Sequence, residues 1–221
     1  MYNGWALALA WPDTYCRQAG AWYDCLTDWL GISQDGYYQV GHAALVLIEA
    51  HRPEALYFDF GRYHAPFGQG RVRDKTTDHE LALHTCIDFR KDGFMNNLEA
   101  LLDELQQKDA CHGTGCLRAA VTPVNFAAAF RKAKMLQELG CIPYGPFVYR
   151  GTNCSRFVNR VVRAGQPSAK VALWLALPPM LTPSPIWNIR AIGPYPCKGG
   201  EKIADSNHQM NRGRIFEHID P

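Results

Sequence analysis

Apolar positions along the 221-residue chain follow two periods, and the switch between them sets out the predicted elements. Residues 5–10 read as a short first strand, and a helix is expected over 16–30, closed by Gly31. Residues 40–49, Val-Gly-His-Ala-Ala-Leu-Val-Leu-Ile-Glu, form the strongest strand signal. A turn at Pro53 leads to a second strand over 55–60, so the two should pair as a hairpin. Residues 61–78 are rich in Gly, Arg and polar side chains and read as an ordered loop or ragged strand. A further strand is expected over 81–89. The period then becomes helical. Leu98, Leu101, Leu102 and Leu105 share one face of a helix over 94–108, and a second helix over 125–139 opens after Thr122-Pro123 and stops at Gly140. Between them, 117–122 reads as a strand. A third helix spans 154–164, with Gly165 in the usual position just past its end.

Beyond Gly165 the pattern breaks up. Pro167, Pro178, Pro179, Pro183, Pro185, Pro194 and Pro196 punctuate it, and only short strands near 186–192 are expected, followed by a polar tail from about 197. The economical description is one α+β domain over 1–165 with a helical insertion at about 90–140. Residues 166–221 then form a Pro-rich extension packed on the same domain.

Composition narrows the function classes. At 47% hydrophobic and 20% charged, the chain can bury one sizeable core. A net charge of +2 with dispersed basic residues argues against nucleic acid or an acidic membrane surface as a partner. No run reaches the roughly 18 apolar residues of a membrane span, since the longest candidate, 171–181, is interrupted by Pro178-Pro179. The first residues lack the basic and apolar regions of a secretory signal, so a soluble cytoplasmic protein is expected, with export by another route left open. Eight cysteines therefore read mostly as free thiols. Cys111-His112-Gly113-Thr114-Gly115-Cys116 groups three potential ligands, but its spacing fits no standard zinc pattern and it reads as a loop. No metal or other cofactor is implied, and the oligomeric state is open.

Candidate chemistry centres on Gly151-Thr152-Asn153-Cys154-Ser155-Arg156-Phe157-Val158. A thiol attacks as thiolate, and a helix N-terminus favours that anion through its dipole and free N–H groups. Phe157, Val158, Val161 and Val162 share a face with Cys154, which would anchor the thiol against a core. A buried structural cysteine makes nearly the same pattern. A nucleophilic cysteine needs a base and a group to hold that base. His42, near the start of a strong strand, is the best candidate base, against the reading of a solvated or core-bonded histidine. Asp59 interrupts the aromatic strand Leu56-Tyr57-Phe58-Asp59-Phe60 and shares a face with Tyr57; it could orient His42 or be a solvated strand-end carboxylate. Arg62, His64, Arg71, Arg73 and His79 follow in the loop and could line a cleft or be solvated. Tyr38, just before the His42 strand, could edge the site or simply pack. Arg62, His64 and Tyr38 are the candidate substrate contacts.

Gly41-His42-Ala43-Ala44-Leu45-Val46-Leu47-Ile48, Tyr57-Phe58-Asp59-Phe60 and Asn153-Cys154-Ser155-Arg156-Phe157-Val158 together resemble the permuted NlpC-type papain-like proteins. That group includes YiiX-like bacterial hydrolases and the lecithin retinol acyltransferase family. The resemblance spans about 41–165. It implies a histidine strand ahead of a nucleophile helix, an antiparallel sheet packed against helices, and a triad of Cys154, His42 and Asp59. The piece Asn-Cys-x-x-Phe-Val looks like the acyltransferase branch, whereas the acidic residue on the second strand looks like the YiiX branch. The implied activity is amide hydrolysis of peptide or peptidoglycan-like substrates through a thioester. Lipid acyl transfer or thioester hydrolysis, and a non-catalytic binding module on the same fold, are the alternatives.

Overall fold

The computed structural model describes residues 1–17, 33–34, 37–39, 41–90, 95–177, 182–193 and 195. Its main sheet has six strands: β1 (Gly4–Trp11), β5 (His42–Glu49), β6 (Ala55–Gly61), β7 (Gln69–Arg73), β8 (Arg118–Val124) and β9 (Ile142–Pro143). They are ordered β8-β1-β5-β6-β7-β9, and every neighbouring pair is antiparallel. A smaller three-stranded sheet joins β2 (Tyr15–Arg17), β3 (Ser33–Gln34) and β4 (Tyr37–Gln39), with β4 in the middle. Five α-helices are present among the described residues: α1 (Leu98–Gln107), α2 (Phe126–Glu138), α3 (Cys154–Ala164), α4 (Ala169–Ala176) and α5 (Pro185–Ile192).

The alternation in β1 is one of size rather than polarity, because both faces of the sheet are covered. Ala6, Ala8 and Ala10 point to one face with Ala43, Leu45, Leu47, Phe58 and Phe60; there they meet Phe157, Val158, Val161 and Val162 of α3, with residues of α2, α4 and α5. Leu7, Leu9 and Trp11 point to the other with Ala44, Val46, Ile48 and Tyr57, under the leucines of α1. Small alanines on one side let helices approach the sheet closely, and the larger side chains fill the opposite side. This is a three-layer α+β arrangement with the sheet in the middle. The stretch 90–140 contributes to all three layers: α1 to one face, β8 to the edge of β1, and α2 beside α3.

Three predicted elements differ, and a fourth stretch, 61–78, holds a regular strand. Residues 81–89 do not form a strand, although Leu81 and Ile87 are buried. Their N–H groups go to side chains and a loop instead of a ladder: His84 and Thr85 donate to the Glu104 carboxylate at 2.8 Å each, Asp88 to Asn97 Oδ1 at 2.9 Å, and Ile87 to the Pro53 carbonyl at 2.7 Å. Residues 186–192 are helical, within α5. Ser184 caps that helix by accepting from Trp187 N–H, and Pro185 occupies its first turn. Of the helix expected over 16–30, Cys16 and Arg17 lie in β2, and the remainder lies outside the described residues. Within 61–78, β7 forms where a loop or ragged strand was expected, and it pairs Asp59 with Arg73, Phe60 with Val72 and Gly61 with Arg71.

Candidate active site

Cys154 is the first residue of α3. Asn153 precedes it in extended conformation and its side chain accepts from Arg156 N–H at 2.8 Å, so the capping residue and the cysteine are set by one short stretch of sequence. Phe157, Val158, Val161 and Val162 are fully buried, anchoring the helix while Cys154 is 6% exposed. The thiol is therefore fixed at the helix mouth, as its spacing suggested.

His42 opens β5. Gly41 before it has φ +73, and a Cβ there would lie 2.9 Å from the Trp11 carbonyl oxygen, so the chain turns into the strand at a position that favours glycine. Trp11 lies opposite His42 in the register, and the two rings stack with centroids 5.9 Å apart. Asp59 pairs with Ala44 across β5 and β6, which puts it on the His42 face, one step along. The His42 Nε2 to Asp59 Oδ2 distance is 3.6 Å. That is a charge contact rather than a formed hydrogen bond, and Nε2 has no hydrogen-bond partner.

The three side chains meet. Burial alone would lower the His42 pKa, but the neighbouring Asp59 carboxylate and Cys154 thiol outweigh it and push it up to about 9. Burial would raise the Cys154 thiol, yet the His42 ring and the backbone N–H groups of Ala43 and Ser155 bring it below the ordinary thiol value. Burial likewise opposes ionisation of Asp59; His42 and Arg73 hold its carboxyl below the usual range nonetheless. The arrangement favours thiolate beside imidazolium.

Arg73 is the residue that sequence reasoning placed differently. Of its two expected readings, cleft-lining or solvated, the solvated one fails: Arg73 is 2% exposed, on β7. Its Nε donates to Asp59 Oδ1 at 3.0 Å and its Nη2 to Oδ2 at 2.6 Å, with a further bond to the Ala110 carbonyl at 3.0 Å. Tyr57 hydroxyl also donates to Asp59 Oδ2, at 3.2 Å. The signal was the alternation Arg71-Val72-Arg73 beside the aromatic strand, which puts both arginines on one face of a strand. Arg71 is not free either: it forms a two-pronged pair with Asp78 at 2.6 and 2.7 Å.

Arg62 follows β6 and its guanidinium lies 5.5 Å from the centre of the Tyr144 ring. His64 is exposed in a turn at φ 47 and is not drawn into the cluster, and His79 begins a short 3-10 turn. Tyr38 is placed as a backbone position in β4; its side chain lies outside the described residues. The Cys111–Cys116 segment packs behind the site: His112 stacks on Tyr63, and a Cβ at Gly113 would lie 2.2 Å from the Trp11 ring. Cys111 is buried and its thiol is pushed up to about 12, chiefly by that burial, which leaves it inert.

Comparison with known proteins gives two matches. A solved structure titled as the type VI secretion system effector TseH aligns with a TM-score of 0.54 and 18% identity, covering 86% of this chain and 88% of that one. It shares the mixed α+β fold. No curated protein matches the chain. The model of the family described as type VI secretion system effector TseH-like matches residues 6–171. That match covers well over half of the sequence, including every strand and helix that carries the site, and the chain belongs to the TseH-like family of type VI secretion system effectors.

Proposed function

We propose that this protein is a cysteine hydrolase that cleaves an amide bond through a thioester on Cys154, with His42 as base and Asp59 as the group that orients it. The observation that carries the reading is the meeting of a helix-capped thiol, a buried imidazole and a buried carboxylate, in the chain order of a permuted papain-like fold. The Cys154 thiolate attacks the carbonyl carbon, and the backbone N–H of Cys154 helps to hold the oxyanion. His42 then gives its proton to the departing amine, leaving the acyl group on sulfur. Water, deprotonated by His42, releases the acid and restores the thiol.

Peptides or peptidoglycan fragments are the substrate class. Secretion by a type VI system, as the family's description implies, would bring the protein to a cell-wall substrate. Among the described residues, no helix is long and apolar enough to cross a membrane. One observation favours the lipid acyl-transfer or thioesterase reading: Leu173, Trp174 and Leu177, in and just after α4, are about half exposed, at 58%, 48% and 59%.

The test pairs product analysis with thiol labelling. Purified protein is incubated with peptide-bearing wall fragments and, separately, with acyl lipids, and the products are read by mass spectrometry. Release of an amine from the wall fragments, lost about a thousandfold or more in Cys154→Ala and His42→Ala, is expected. Acyl release from lipid alone selects the second reading. A Cys154 that labels no faster than the other seven cysteines, and independently of His42, identifies a non-catalytic module.

A further inference from the structure

Arg73 and Asp59 face one another across β6 and β7, and an ion pair between cross-strand neighbours commonly does no more than link two strands. This pair does something more specific. Arg73 takes both oxygens of Asp59, and the oxygen that receives its shorter bond, Oδ2, is also the one that faces His42. Tyr57 adds a second donor to that same oxygen. With two donors already on Oδ2, the imidazole stands off at 3.6 Å instead of closing to a hydrogen bond. The guanidinium itself has little freedom: Tyr63 lies over it with the ring centre 3.4 Å from Cζ, and the Ala110 carbonyl takes a further N–H. A planar fork held from three sides fixes the plane of the carboxylate it grips.

We propose that Arg73 is a positioning residue of this site, gripping Asp59 so that its carboxylate supports His42 by charge while leaving the ring free to face Cys154. The assignment rests on the cysteine-hydrolase reading. Cation and anion alternate along the line Arg73, Asp59, His42 and Cys154, and the charges sum to zero in the thiolate-imidazolium state. Titratable groups facing this line are Tyr57 on β6, Tyr63 after it, and Cys111 and His112 from the loop after α1. Lys108, Glu80 and Asp78 stand further out. Without Arg73 the charge of Asp59 would be unbalanced. It would then bind the imidazolium more tightly and draw the ring toward itself.

The experiment is the pH profile of Cys154 alkylation by iodoacetamide, read at that residue by mass spectrometry and normalised to the folded fraction from circular dichroism. The wild-type profile should show one step below the ordinary thiol range and a second near pH 9, as His42 loses its proton. In Arg73→Gln the second step should move up by about one pH unit and the plateau rate should fall about tenfold. Arg73→Lys keeps the charge without the fork, so its second step should stay while its plateau falls. Should Arg73→Gln fail to fold, the lysine variant alone decides. Profiles of the folded variants that overlay the wild type would show a merely structural pair and overturn the inference, leaving the hydrolase reading intact. A wild-type profile without the lower step, or one unchanged in His42→Ala, would overturn both.

Discussion

Asp59 is fully buried, and a carboxylate in that setting stays ionised only when its neighbours compensate for lost water. His42 and Arg73 do this together, and Tyr57 completes the shell. Asp59→Asn would leave a guanidinium buried without its anion and should cost about 3–5 kcal/mol in urea unfolding. His42 carries a linkage of the opposite kind. Its pKa rises from 6.5 to about 9 on folding, so the proton is held more tightly in the native state. That stability is full below pH 6.5 and is lost as pH climbs through about 9; a urea midpoint that declines over this window in wild type and stays flatter in His42→Gln would verify it. Cys154, His42 and Asp59 were legible as separate signals: a cap followed by an apolar stripe, a strand histidine, and a carboxylate out of character among aromatics. For Arg73 the sequence offers a cleft-lining or a solvated cation and no partner, because that partner lies fourteen residues away across a strand pair whose register no local pattern reveals.

At the scale of elements, strands and helices with a clean period were readable to within a few residues, and the failures have particular causes. The stretch 81–89 alternates like a strand but satisfies its backbone through Glu104 and Asn97, a choice made by tertiary contacts. In α5 the capping signal Ser184-Pro185 was present but obscured by the surrounding prolines. That helix also braces the one that carries Cys154. Asn188 donates to the Ser155 carbonyl at 2.9 Å and accepts from Asn159 at 3.2 Å, while Asn159 also donates to the Leu175 carbonyl at 2.9 Å. Three helices are thereby pinned by two buried amides. Asn188→Leu should cost about 1–3 kcal/mol in thermal or chemical denaturation and slow Cys154 labelling, since it strands the polar partners on α3. Gly113→Val tests the opposite face. Its side chain would collide with the Trp11 indole, which stacks on His42, so the variant should lose labelling at Cys154 while keeping most of its far-ultraviolet circular dichroism.

For the whole molecule, the sheet is buried on both faces, and its two coverings come from separate parts of the chain: α1 on one side, α2 to α5 on the other. Two helices beyond Gly165 contribute Leu175, Ile189 and Ala191 to the core that holds α3. A chain ended at Gly165 should therefore lose its cooperative thermal transition, measured by circular dichroism, and its selective labelling of Cys154. The family match and the shared α+β fold agree, and the substrate class belongs to the proposal. The Asn188 bridge has a temporal consequence. Its bond to Ser155 joins residues 33 positions apart, and the donor comes later. As the chain leaves the ribosome, the strands bearing His42, Asp59 and Arg73 emerge first and can pair with one another. The helix bearing the thiol stays without its brace until α5 is made. A nascent or partly unfolded chain thus has its imidazole in place before its thiol is secured, and the proposed competence to attack would arrive late in folding.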